Sequence, residues 1–247
     1  MEPMSLLRVA TYNIHKGVQG LGPRRRLEIH NLGQAVEHLD ADVVCLQEVS
    51  KLHRGEAQYF SRWPDLPQAD FLAPEGYEAV YRTNAYTRDG EHGNALLSRW
   101  PVVMHQHEDM SDHRFEQRGL LHVEVLFHER PVHVVVVHFG LIPASRLRQV
   151  AQLKKFIARE VPDGEPLLVA GDFNDWGSSV ESALKTINLL ALNKPRTATF
   201  PSRLPLVQLD YVYARGLTLV DVQVPRGRLW WRMSDHLPLI AEFSLPD

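Results

Sequence analysis

The 247-residue sequence predicts an α/β fold: two sheets packed on each other, with helices outside, in one domain. Three observations carry that expectation. Short apolar runs bounded by turn residues recur from end to end, segments of helical period interrupt them in mixed order, and no linker divides the chain. There is no internal repeat or low-complexity tract, so residues 1–247 read as a single domain. A hydrophobic content of 44% supplies a sizeable core.

The elements follow in order. "LLRVATYNI" (6–14) opens as a strand. "RRLEIHNLGQAVEHLD" (25–40) places Leu27, Leu32, Ala35, Val36 and Leu39 on one helical stripe. "ADVVCLQEV" (41–49) is a second strand. Residues 50–92, with "RWPDLPQ" and "TRDGEHG", read as long loops, where functional residues often sit. "GNALLSRW" (93–100) is the next strand. "LLHVEVLFH" (120–128) and "PVHVVVVHF" (131–139) form a hairpin about Glu129-Arg130. The first of these alternates as a half-exposed strand does, and the second is apolar enough to be buried on both faces. A helix over 145–161 repeats apolar residues at 147, 150, 153, 156, 157 and 161, its Arg and Lys forming a solvated face. "EPLLVAGDF" (165–173), a weaker helix over 179–192, and strands at 209–216 and 237–245 complete eight to ten strands and three helices.

Net charge is −3, and the sequence pI is near 6.5. That is not the basic surface of a protein held to DNA mainly by phosphate contacts, although a nuclease with a local basic patch stays compatible. Cys45, the one cysteine, lies in the apolar "DVVCLQ" and reads as a buried thiol in a reducing compartment. The N-terminal "MEPMSLLRVATYNIH" shows no signal-peptide pattern, and no run approaches the roughly eighteen apolar residues of a spanning helix. The expectation is a soluble, cytoplasmic monomer.

Polar residues collect where strands end: Asn13, Glu48, His138, Asp172, Asn174, then Asp210, Asp235 and His236 flanking the last strands. Singly, an Asn or Asp there is a turn or cap residue. As a set, these groups can converge at one rim of a sandwich. Hard oxygen donors suit Mg²⁺, with Mn²⁺ as its substitute, and no CxxC or HExxH argues for zinc. A carboxylate beside an imidazole orients a base toward water. No GxxxxGK[ST] loop or GxSxG elbow is present. Asp175 finds no partner in this set and reads as a turn or helix-capping residue.

The ordered strings "TYNIH", "LQEV", "GNALLSR", "HFGL", "GDFN", "LDYVY" and "SDH" resemble the endonuclease/exonuclease/phosphatase superfamily of metal-dependent phosphoesterases. "NIHKG", "GNALLSRWP" and "TFPSRLPL" resemble a small bacterial subgroup within it. The resemblance implies a four-layered α/β/β/α sandwich of two mixed, mainly antiparallel sheets, with the site at one end. It implies Glu48 as principal Mg²⁺ ligand, assisted by Asn13, with Asp235 near the metal. Asp172 and Asn174 would position the attacking water and the phosphate oxygens. His236, oriented by Asp210, would be base or transition-state stabiliser, and His138 a second acid/base. That histidine speaks against abasic-site repair. Arg118 in "QRGLL" resembles the arginine that meets the scissile phosphate.

Other positions are less fixed. "NIHKG" sets His15 and Lys16 where many relatives carry a different polar pair. His92 and Asn94 in "EHGNALLS" are expected as substrate-contacting neighbours. Of Trp230 and Trp231, one is expected in the core and the other, Trp231 in this reading, against a base, sugar or lipid headgroup. Arg226, Arg228 and Arg232 nearby would help recognise the leaving group. The function expected is Mg²⁺-dependent hydrolysis of phosphate esters, diesters foremost, by in-line attack of water. The alternatives are a DNA or RNA nuclease, a phospholipid or inositol-phosphate phosphoesterase making peripheral lipid contact, and a non-catalytic phosphate-ligand binding protein.

Overall fold

Apolar strands need cover on both faces, and the chain supplies it in four layers. The computed structural model describes residues 5–191 and 197–246. In chain order the elements are β1 (Leu6–Asn13), β2 (Val18–Gln19), β3 (Arg26–Leu27), α1 (Ile29–Leu39), β4 (Val43–His53), α2 (Arg54–Tyr59) and α3 (Gln68–Leu72). They continue with β5 (Glu78–Thr87), β6 (Gly90–Ser98), β7 (Val102–Asp109), β8 (Gly119–Phe127), β9 (Arg130–His138) and α4 (Pro143–Glu160). The last are β10 (Leu167–Asp172), α5 (Ser179–Lys185), β11 (Leu190–Ala191), β12 (Asp210–Arg215), β13 (Thr218–Gln223), α6 (Trp230–Met233) and β14 (Leu239–Ser244).

One sheet has the order β13-β14-β1-β4-β6-β5, the other β11-β12-β10-β9-β8-β7, and β2 and β3 form a small hairpin. Each large sheet is antiparallel except for one parallel pair, β1–β4 in the first and β9–β10 in the second. Between the sheets lie Val9, Cys45, Leu96, Val123, Val134, Val136, Leu168 and Val212, all buried. The outer face of the first sheet packs Tyr12, Val44 and Leu46 against Ile29, Leu32, Val36 and Leu39 of α1. The outer face of the second packs Val135, Val137 and Val169 against Val150, Leu153 and Phe156 of α4. The expected sandwich of two mixed, mainly antiparallel sheets flanked by helices is the fold observed. Among the described residues, no helix is long and apolar enough to cross a membrane.

Several local expectations need correction. The first helix starts at Ile29, and Leu27 belongs to β3, so Ile29 takes over the end of the buried stripe. Residues 50–92 are not mainly loops: β4 runs on to His53, two short helices follow, and β5 and the start of β6 come after them. β8 is buried on both faces over its first five residues, because α4 covers the side that alternation left for solvent. The β8–β9 turn is His128-Glu129, one residue earlier than read. Both residues have positive φ, +48° and +65°, the twist a two-residue hairpin turn requires. The third helix ends at Lys185, Leu190 and Ala191 pair with β12 as a strand, and Leu192 lies outside the described residues.

Candidate active site

Register builds the centre of the site. Asp172 ends β10 opposite His138 of β9 on one side and Asp210 of β12 on the other, so three adjacent strands present three polar side chains at one level. All three are buried. His236, on the loop between α6 and β14, donates from Nδ1 to Asp210 Oδ2 at 2.8 Å. Asp172 Oδ2 then lies 3.5 Å from His138 Nε2 and 3.6 Å from His236 Nε2.

The other sheet contributes from the end of its parallel pair. Asn13 ends β1 and donates from Nδ2 to Asp172 Oδ2 at 3.1 Å, which joins the sheets across the site. The same Nδ2 stands 3.4 Å from Glu48 Oε1. Glu48 does not end its strand as the sequence suggested. It sits inside β4 at φ +54°, where the pairing with β6 slips between Leu46 and Val49. That is a β-bulge, which turns a side chain out of the normal alternation and aims it anew.

Two loops close the ring. Ser234 Oγ donates to Asn13 O at 2.6 Å and fixes the Ser234-Asp235-His236 turn to the end of β1. His15 and Lys16, both at positive φ, point back at the carboxylates. His15 Nδ1 is 3.3 Å from Asp235 Oδ1, and Lys16 Nζ is 3.2 Å from Glu48 Oε2. Asn174 takes φ +48° and donates from its backbone N–H to Asp172 Oδ1 and from Nδ2 to Phe139 O at 2.9 Å. Asp175 accepts from Gly177 N, Ser179 Oγ and Val180 N and so caps α5, as its sequence reading proposed.

Arg118 donates from Nε to Phe139 O and from Nη2 to Glu116 Oε1, which also accepts from Leu141 N. Its guanidinium is thereby held against the loop that follows His138. His92 is half-buried in a cleft of about 390 Å³ that Arg118 also lines. The structure does not bring Asn94 to the rim. Asn94 is fully buried, and its Nδ2 donates to Gly119 O and Val136 O, tying one sheet to the other. Trp230 packs edge-on to Tyr12, whereas Trp231 is exposed on α6, a short helix rather than a strand. Glu116, Ser234 and Phe200, whose ring lies 4.9 Å from that of His236, escaped the sequence reading. Ser234 alone had a signal, its place beside "DH".

The electrostatics divide the two histidines. Burial opposes a charge on His236, but Asp210 and Asp172 outweigh it and push the imidazole up to about 10. His138 is pushed down to about 4, by burial first and then by Arg118, against the pull of Asp172 and Glu48. At neutral pH one is a cation and the other is neutral, the divergence that separates acid from base roles. Burial raises the Asp172 carboxyl against the two histidines. Glu48 is the reverse: burial works against ionisation, yet His138, Lys16 and His15 hold it far below the usual carboxylate range.

Two groups could hold a cation. Asp172, Asp210 and His236 offer ligand atoms within 4.8 Å of one another. A protonated His236 has no lone pair to give, which disfavours that group. Glu48 stays ionised, has Asn13 beside it, and already attracts the Lys16 ammonium. The carboxylates of Glu48 and Asp235 are the oxygen donors a hard divalent ion takes, while Asn13 turns Nδ2 toward Glu48 and Oδ1 toward the His15 N–H.

Known proteins match this architecture. The model of the endonuclease/exonuclease/phosphatase family matches residues 10–236. YbhP of Escherichia coli (strain K12), an uncharacterized protein, is 38% identical, with 96% of each chain covered. An endonuclease/exonuclease/phosphatase family protein from Leptotrichia buccalis superposes with a TM-score of 0.77 at 14% identity, covering 97% of this chain and 100% of that one. The human Nocturnin catalytic domain superposes with a TM-score of 0.72 at 21% identity, covering 98% and 94%. The chain belongs to the endonuclease/exonuclease/phosphatase family of phosphoester hydrolases.

Proposed function

We propose that the protein is a Mg²⁺-dependent phosphodiesterase in which water attacks phosphorus in line, without a covalent enzyme intermediate. The observation that carries this is the convergence of Asn13, Glu48, His138, Asp172, Asp210 and His236 at one end of the sandwich, with its two histidines in opposite charge states. Glu48, with Asn13 and Asp235, would hold the cation. When bound, the ion would supply positive charge against the phosphoryl oxygens.

The chain's own groups do the rest. His236, protonated and fixed through Nδ1, directs Nε2 toward Asp172 and the phosphate, where its charge favours the transition state. Asp172 and Asn174 orient the attacking water. Neutral His138, with Nε2 near Asp172, exchanges the proton. Arg118 meets a phosphate oxygen from the opposite wall.

The test is hydrolysis of bis-p-nitrophenyl phosphate with Mg²⁺ and with EDTA. Turnover that needs the metal and is lost in Glu48→Ala and His236→Ala is expected. Wild-type rates in either variant would refute the site assignment.

A further inference from the structure

The loops that carry the catalytic residues end in exposed apolar side chains. Trp176, two residues past Asn174, is 60% exposed and meets Phe200 edge-on at 6.2 Å; Phe200 in turn touches His236. The turn after Phe200 leaves Leu204 and Leu206 in solvent, 65% and 71% exposed, while Ser202 N–H anchors it on Asp235 O at 2.7 Å. Leu229 and Trp231 project from the α6 segment just before Ser234. Leu21 follows β2, the strand that abuts α6, and is 87% exposed. Exposed apolar residues scattered singly need no explanation, but a group on contiguous loops beside a site marks a contact surface.

Among these tips lies a cleft of about 440 Å³ lined by Arg26, Arg203, Arg228, Trp231 and Arg232, with no acidic residue. Arg26 pairs with Glu28 at 3.2 Å. Among the described residues, the guanidinium groups of Arg203, Arg228 and Arg232 have no hydrogen-bond or carboxylate partner. A chain of net charge −3 thus concentrates uncompensated positive charge beside its catalytic loop.

We propose that this rim seats the enzyme on an anionic lipid surface. The arginine cleft takes lipid phosphate, and the leucine and tryptophan tips enter the headgroup boundary. The proposal rests on the phosphodiesterase reading and adds to it a substrate class, a phosphoester presented at a membrane. A groove for single-stranded nucleic acid would also combine arginine with a stacking indole. It would leave Leu21, Leu204, Leu206 and Leu229 without a role, whereas aliphatic tips with basic neighbours are what interfacial binding uses.

The whole protein is sedimented with phosphatidylcholine vesicles and with mixed phosphatidylcholine–phosphatidylglycerol vesicles, and is titrated in parallel with a single-stranded oligothymidylate. Binding to the mixed vesicles alone is expected. Each arginine near an anionic surface strengthens partitioning, so Arg203→Ala with Arg228→Ala lowers it about thirty-fold. Leu204→Ser with Leu206→Ser weakens it while leaving soluble bis-p-nitrophenyl phosphate hydrolysis at the wild-type rate. Equal binding to both vesicle types, wild-type binding by the arginine variant, or binding of oligothymidylate without vesicles would overturn the proposal. A wild-type protein that binds mixed vesicles but hydrolyses no diester would support the docking face and count against the activity.

Discussion

Asp210 Oδ2 accepts a hydrogen bond from His236 Nδ1 at 2.8 Å, with both side chains buried. The carboxylate fixes the ring and keeps its proton up to about pH 10. If charged His236 stabilises the transition state, activity is present below that value and falls as the pH rises through it. Asp210→Asn should lower kcat about 10²–10⁴-fold and move the alkaline limb toward neutrality. A pH–rate profile at fixed Mg²⁺ checks both.

Lys16 and Glu48 are 3.2 Å apart, so the ammonium opposes any cation that Glu48 receives. Removing one half-exposed positive charge at this range is worth about 1 kcal/mol. Lys16→Met should therefore bind Mn²⁺ about five-fold more tightly by calorimetry. Unchanged or weaker affinity would move the metal away from Glu48.

Arg118 is held by Phe139 O and Glu116, which pre-aims a planar fork. Lysine supplies charge without that fork. Arg118→Lys should reduce kcat/KM on a diester about 10–100-fold, with far-UV circular dichroism unchanged. Full activity would leave the arginine a structural strut.

Asn94 should matter to stability more than to chemistry. Its Nδ2 satisfies Gly119 O and Val136 O across the sheets. Asn94→Ala removes both cross-sheet hydrogen bonds, a loss of about 2 kcal/mol in urea unfolding.

His122 predicts an acid limb to stability. Its Nε2 is 3.0 Å from His133 Nδ1, and burial, then His133, push it down to about 4. The unfolded chain takes up that proton near pH 6.5, so between 6.5 and 4 it binds more protons than the folded one. Stability contributed by neutral His122 is whole above 6.5 and drains as the pH falls, by about 2–3 kcal/mol at pH 4. His138 acts in the same direction. Urea midpoints at pH 7 and pH 5 should differ less in His122→Gln than in the wild type.

The strand ends were readable because each apolar run stops at a polar residue, and register carries those residues to one rim. Glu48 was singled out by residue type, but its setting was misread. A bulge adds one residue to a strand and leaves no mark in composition, so β4 seemed to stop where it only bends. Asn94 looked like a site residue because its burial depends on the facing sheet, which local sequence does not register. β5 was missed for a related reason: it is an edge strand with half-exposed polar residues, and its pattern resembles a loop. The acid that steadies Arg118 lies two positions before it, a spacing without any signal of its own.

The hydrogen bond from Asn13 to Asp172 spans the junction of the two sheets at the site. Asn13 and Glu48 stand on one slab of the sandwich and His138, Asp172 and Asp210 on the other, so the apolar filling between the slabs acts as a ruler. Enlarging or trimming Val123 or Val136 within that filling would alter the gauge between the two sets. The spacing between the two halves of the site is set by the width of an oily seam.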